Sequence, residues 1–146
     1  MNKPFILVAE DDADDRFLLQ TAFAEKGFND RIEFVENGVE LLKFLNALDH
    51  GKPGEVVFPG FILLDLNMPK KSGREVLAEI KQHPVFKTIP VVVYTTTKNE
   101  AEVKKCYELG ANTYIVKPAR FESLLKVVSD IRNYWLETAA TPFGPM

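Results

Sequence analysis

Cysteine is almost absent from the chain, and the single Cys106 leaves no internal disulfide to staple a fold. No basic segment followed by an apolar one opens the sequence, and no uncharged apolar run approaches the roughly 20 residues that cross a bilayer. These absences predict a reducing, cytoplasmic setting with no membrane contact. A basic excess is missing too. With 18 Lys and Arg against 21 Asp and Glu, the net charge of -3 lacks the positive field that nonspecific nucleic-acid binding needs. Direct DNA binding is therefore disfavoured. Histidine is scarce, and His50 and His83 stand alone in loop-like contexts, so neither is assigned a chemical role. No internal repeat or low-complexity tract interrupts the chain.

What is present suffices for one core: 46% of the 146 residues are apolar and 11% aromatic. One domain over 1–137 is expected, followed by a flexible tail over 138–146. Short β-branched or apolar runs recur at Pro4 to Ala9, Arg31 to Glu36, Gly60 to Leu64, Ile89 to Thr95 and Thr113 to Val116. Four are nearly continuous, as in strands covered on both faces, whereas Arg31 to Glu36 partly alternates and reads as an edge. Helical segments lie between them. Asn37 with Glu40, Ser72 with Glu75, and Asn99 with Glu102 resemble capping boxes. Stop signals fall at Gly27, at His83-Pro84 and near Gly110. Phe121, Leu124, Leu125, Val128, Ile131 and Trp135 form the apolar stripe of the last helix. Asp49 to Pro59 reads as a long surface loop. The alternation predicts an α/β fold: a doubly wound five-stranded parallel sheet, flavodoxin-like, with helices on both faces.

In such sheets ligands bind beyond the carboxyl ends of the strands. Glu10-Asp11-Asp12 follow the first run, Asp65 the third, Thr95-Thr96-Thr97 close the fourth, and Lys117 follows the fifth. Carboxylates gathered at one rim cannot all stay ionised unless a cation or protons intervene. An oxygen-only donor set suits Mg²⁺, which binds through a few carboxylates and bridges to a phosphate oxygen. Phosphoryl transfer to a carboxylate fits this set. Asp65 would be the nucleophile, Lys117 would neutralise a phosphate oxygen, and a Thr hydroxyl would donate to another.

Assembled, these residues resemble the receiver domains of two-component response regulators, from about Pro4 to Trp135. Val8-Ala9-Glu10-Asp11-Asp12 resembles the acidic pair, carried by Glu10 and Asp11. Leu63-Leu64-Asp65-Leu66-Asn67-Met68-Pro69 resembles the phosphoacceptor segment. Pro90-Val91-Val92-Val93-Tyr94-Thr95 is similar to the switch-hydroxyl strand, and Tyr114-Ile115-Val116-Lys117-Pro118 to the strand bearing the switch aromatic and the lysine. The resemblance implies strand order 2-1-3-4-5, phosphorylation of Asp65 by a sensor histidine kinase, and Mg²⁺ on Glu10, Asp11, Asp65 and the backbone carbonyl of Asn67. It implies a Thr95–Tyr114 switch, a cis Lys117-Pro118 bond, and no enzymatic activity beyond self-phosphorylation and self-dephosphorylation. The loop before the third strand, Lys70 to Leu77 and Tyr134-Trp135 look most like stand-alone regulators that partner with phytochrome-type kinases. A homodimer through helices 4 and 5 is a further expectation.

Plainer readings stand beside these. Asp12 is better read as a helix N-cap, and Thr96 and Thr97 as loop hydroxyls. Tyr114 fits a half-buried sheet aromatic as well as a moving switch. Cys106 reads as a packing residue. Three rival functions remain: a haloacid-dehalogenase-type phosphohydrolase, a flavodoxin-like cofactor binder and a degenerate receiver. The first expects an aspartate where Asn67 stands. In the second, Glu10-Asp11-Asp12 would repel the phosphate. The third is opposed by the intact set Glu10, Asp11, Asp65, Thr95 and Lys117.

Overall fold

A computed structural model describes residues 4–52 and 56–142. Five strands, β1 (Phe5–Ala9), β2 (Ile32–Val35), β3 (Pro59–Leu64), β4 (Val91–Thr95) and β5 (Thr113–Val116), alternate with α1 (Ala13–Glu25), α2 (Gly38–Asp49), α3 (Gly73–Gln82), α4 (Glu100–Glu108) and α5 (Phe121–Asn133). All pairings are parallel, in the order β2-β1-β3-β4-β5. This is the doubly wound sheet that the alternation of runs predicts, in the order that the resemblance implies.

The central strands are apolar throughout because they feed two cores. Successive strand side chains point to opposite faces. Phe5, Leu7, Ala9, Ile62, Leu64, Val91 and Val93 meet α2, α3 and α4 through Leu41, Leu45, Val76, Leu77, Ile80 and Cys106. Ile6, Val8, Phe61, Leu63, Val92 and Tyr94 meet α1 and α5 through Leu19, Phe23, Leu124, Val128 and Ile131. Each large side chain fully buried this way stabilises the fold by about 1.5–3 kcal/mol. β2 is an edge, as its alternation suggests. β5 is the other edge; its residues are half-buried and Val116 is exposed, so its apolar run does not mark a strand covered on both faces.

The caps follow local chemistry. Ser72 and Glu75 make the full reciprocal box. Asn37 accepts from the Glu40 N–H at 2.9 Å, but the Glu40 carboxylate turns to the Glu36 N–H at 3.0 Å. Asn99 accepts from Ala101 and Glu102, while the Glu102 carboxylate pairs with Arg74 at 3.1 Å. In both, a competing donor draws the acid away and half a box remains. α1 and α4 end before Gly27 and Gly110, whose φ values of +79° and +108° suit a residue without Cβ.

The last helix departs from its stripe. Phe121 at its start is exposed, whereas after Asn133 the chain widens into a π-helical turn, Tyr134–Thr138, which buries Leu136 and keeps the half-buried Trp135 packed against the α1–α5 core. Thr141 is buried, and the rest of the expected tail, residues 143–146, lies outside the described residues. So do residues 53–55 of the expected loop. No cis peptide bond occurs among the described residues, so Lys117-Pro118 is trans and corrects the cis bond implied above. Trans is the isomer that X–Pro bonds ordinarily favour, by about 0.5–1 kcal/mol.

Candidate functional site

The parallel sheet delivers four strand ends to one rim. At the end of β1, the Glu10 N–H donates to the Val35 carbonyl at 3.0 Å, and the Asp65 N–H after β3 donates to the Ala9 carbonyl at 3.1 Å. Both ladders run one residue past their strands, which fixes the two carboxylates side by side. Glu10 is 1% exposed and Asp65 5%. Beyond β5, the Lys117 N–H donates to the Thr95 carbonyl at 2.7 Å and so brings the lysine to the same rim.

Carboxylate oxygens of Glu10, Asp11 and Asp65 lie within 4.8 Å of one another, Asp11 being the exposed member. Lys117 Nζ enters this group, at 2.7 Å from Glu10 Oε1 and 3.3 Å from Asp65 Oδ2. Its third partner, Asp15 Oδ2 at 2.7 Å, was not expected from the sequence. Asp15 looks there like an ordinary first-turn helix acid, three residues after the N-cap Asp12, and nothing in that spacing marks it as a partner of Lys117. Arg16 was missed as well. It donates to the Glu10 carbonyl at 2.8 Å and pairs with Glu36 at 3.2 Å, tying α1 to the end of β1.

The electrostatics record the crowding. Burial, together with the charge of Asp65, raises the Glu10 carboxyl from 4.5 to about 7, against the opposing hydrogen bond from Lys117. Burial disfavours the Lys117 ammonium, yet hydrogen bonds to Asp15 and Glu10 and the charges of Glu10 and Asp65 outweigh it and raise its pKa. The ammonium also lies 5.5 Å from the Tyr94 ring centroid, and burial pushes the Tyr94 phenol up to about 12.

The remaining residues take graded positions. Thr95 is fully buried, and its Oγ1 accepts from Asn67 Nδ2 at 3.5 Å. The Asn67 N–H donates to Asp65 Oδ1 at 3.2 Å, so the turn after β3 orients the acid. Thr96 is exposed, and Thr97 offers its carbonyl to the Tyr114 hydroxyl at 2.8 Å. Tyr114 is half-buried against the α2–α3–α4 core. Asp12 is the N-cap of α1, accepting from Asp14 and Asp15. His50 meets only the Asn46 carbonyl among its described hydrogen bonds, and His83 Nδ1 accepts from Val85 and Phe86; neither joins the rim. Cys106 is buried, with its thiol raised to about 11 by burial. An oxygen-only set of acids with a facing ammonium fits a hard divalent cation beside an anionic phosphoryl group.

The chain is similar to known proteins over most of its length. Response regulator Rcp1 of Synechocystis is 42% identical over 137 residues, covering 94% of this chain and 92% of the relative. Chemotaxis protein CheY1 of Helicobacter pylori is 31% identical over 113 residues, 77% of this chain and 84% of that one. Among solved structures, the phosphorylated cyanobacterial phytochrome response regulator RcpA superposes with a TM-score of 0.85 at 40% identity, covering 97% of this chain and 99% of that one. The Mn²⁺-bound form of Rcp1 gives 0.81 at 42% identity, with 95% and 99% covered. The response regulator receiver domain model matches residues 6–129, across the acids of the β1 rim, Asp65 and Lys117, and the chain belongs to that family.

Proposed function

We propose that the chain is a response regulator of a two-component phosphorelay that takes a phosphoryl group from a sensor histidine kinase onto Asp65. The observation that carries this reading is Lys117 Nζ set between Glu10 and Asp65 at a rim where three carboxylates converge. An ionised Asp65 oxygen attacks phosphorus, the N–P bond of the kinase phosphohistidine breaks, and its electron pair stays on the imidazole nitrogen. No general base is needed. Mg²⁺, held by Glu10, Asp11, Asp65 and the Asn67 backbone carbonyl, would neutralise charge on the transferring oxygens. Lys117 contributes a fixed positive charge at the same place. Water later attacks phosphorus, the P–O bond to Asp65 breaks, and phosphate leaves. Asp65 is recovered as the carboxylate, and the water proton passes to solvent. The chain thus works as a phosphoacceptor switch.

The switch itself runs through Thr95 and Tyr114. A phosphoryl oxygen draws the Thr95 hydroxyl inward, and Tyr114 leaves the Thr97 carbonyl for the space vacated, which reshapes the face of α4, β5 and α5. Val116, Phe121 and Tyr107 are exposed on those elements. They support a homodimer strengthened by phosphorylation, which light scattering with and without beryllofluoride would reveal. A phytochrome-type kinase as the partner is supported by the similarity to RcpA and Rcp1. A cytoplasmic location and action without direct DNA contact complete the reading; no described helix is long and apolar enough to cross a membrane.

Acetyl phosphate and Mg²⁺, followed by intact mass, test the acceptor. A magnesium-dependent phosphate adduct on the wild-type chain that Asp65→Asn lacks is the expected result. An undiminished adduct on the variant would move the acceptor elsewhere.

A further inference from the structure

The Lys117 ammonium has three N–H donors, and three carboxylates take them. They are not equivalent. Glu10 is almost wholly enclosed and Asp65 nearly so, whereas the Asp15 side chain is 34% exposed. Nζ nevertheless stands at 2.7 Å from Asp15 and 3.3 Å from Asp65. Asp15 comes from the first turn of α1, a different element from either strand end, so it pulls the ammonium toward the helix and away from the proposed acceptor.

The geometry points to Asp15 as a positioning residue that holds Lys117 in the unphosphorylated state and competes with a phosphoryl group on Asp65 for it. The inference rests on the phosphoacceptor reading of Asp65. A phosphoryl group there presents fresh anionic oxygens on the Asp65 side of Nζ. Closing on one of them draws the ammonium toward Asp65 and lengthens its 2.7 Å bond to the Asp15 oxygen. Of the three partners, Asp15 loses the ammonium most easily, because water reaches its carboxylate, whereas the Glu10 side chain is almost wholly enclosed. Asp15 therefore stabilises the unphosphorylated arrangement and sets how strong an anion must be to draw the lysine across. A ligand shifts such an equilibrium only by its differential affinity for the two arrangements, and Asp15 supplies part of that difference.

The sign of the effect separates this role from a merely structural one. Beryllofluoride, which coordinates a carboxylate oxygen as a phosphoryl group does, is titrated at saturating Mg²⁺ and followed by the ¹⁹F signal of the bound species. Asp15→Asn keeps the side chain's shape and removes its charge. It is expected to bind beryllofluoride about two- to fivefold more tightly than wild type, the scale of one partly exposed ion pair. Asp15→Glu, which restores the charge, is expected to return the affinity toward wild type. Equal or weaker binding by Asp15→Asn would overturn the role assigned to Asp15, since damage to the fold also weakens binding. Failure of the wild-type chain to bind beryllofluoride, or undiminished binding by Asp65→Asn, would instead sink the phosphoacceptor reading itself.

Discussion

Gly73 opens α3 against the backbone of Asp65: a Cβ at Gly73 would fall on the Asp65 carbonyl oxygen and on the Leu66 Cα. The Gly73 N–H donates to the Leu66 carbonyl at 3.0 Å, closing the turn that carries Asn67. Because the obstacles are backbone, relief requires the helix or the acid to shift. Gly73→Ala should cost about 1–3 kcal/mol, the range of overpacked sites, measured by urea unfolding. Phosphate adduct formation on the folded fraction should fall as well; unchanged stability would show that α3 can recede freely.

Glu10 gives the metal-free protein a defined pH dependence. Its folded pKa of about 7 lies above the ordinary 4.5, so between those values the native state holds a proton that the unfolded chain has released. Stability from this group is complete below pH 4.5 and is lost as pH rises through about 7. The slope is at most about 1.4 kcal/mol per pH unit for one proton. Urea midpoints measured in chelator should decline across this window in the wild-type chain and decline less in Glu10→Gln. Mg²⁺ needs the ionised form, so its affinity should weaken as pH falls below about 7. An affinity that stays flat from about pH 8 to about pH 5.5 would contradict the raised carboxyl.

Much of this site is legible in the amino-acid order, for a physical reason. Glu10, Asp65, Thr95 and Lys117 each end an apolar run, and a parallel sheet brings such ends to one rim whatever the loops do. Asp15 escaped because its position depends on where α1 crosses the rim, a tertiary fact that helix spacing alone does not encode. The caps show the same boundary. Ser72 and Glu75 have no stronger local competitor, whereas Glu102 is claimed by Arg74, 28 residues away in sequence. Trp135 keeps its place in the stripe, packed against the α1–α5 core, although a π turn re-phases the helix after Asn133, and no residue pattern in that segment announces the extra residue.

Tyr107 and Tyr114 are linked across α4 and β5. The exposed Tyr107 hydroxyl accepts from the Tyr114 N–H at 3.0 Å, a donor on the outer edge of the sheet, while the Tyr114 hydroxyl is held by the Thr97 carbonyl. Tyr107→Phe removes one oxygen and hands the amide to water. Water replaces the bond, so stability should fall by no more than about 0.5–1.5 kcal/mol. Hydrogen exchange at the Tyr114 amide should quicken by more than that global loss accounts for. Exchange that changes only in step with global stability would mean that the hydroxyl does not guard this edge.

Lys117→Met should separate the two duties of the rim by moving them in opposite directions. The ammonium opposes a second cation among Glu10, Asp11 and Asp65, so its removal should tighten Mg²⁺ binding severalfold in a calorimetric titration. The same ammonium offsets charge on the transferring phosphoryl oxygens. Its loss should slow magnesium-dependent phosphate uptake from acetyl phosphate by about a hundredfold, the scale seen when one fixed donor to a developing anion is deleted. Collapse of the site would weaken both. Tighter metal with slower uptake is the pattern expected of a lysine that acts on the phosphoryl group, and equal loss of both would assign it to holding the acids together.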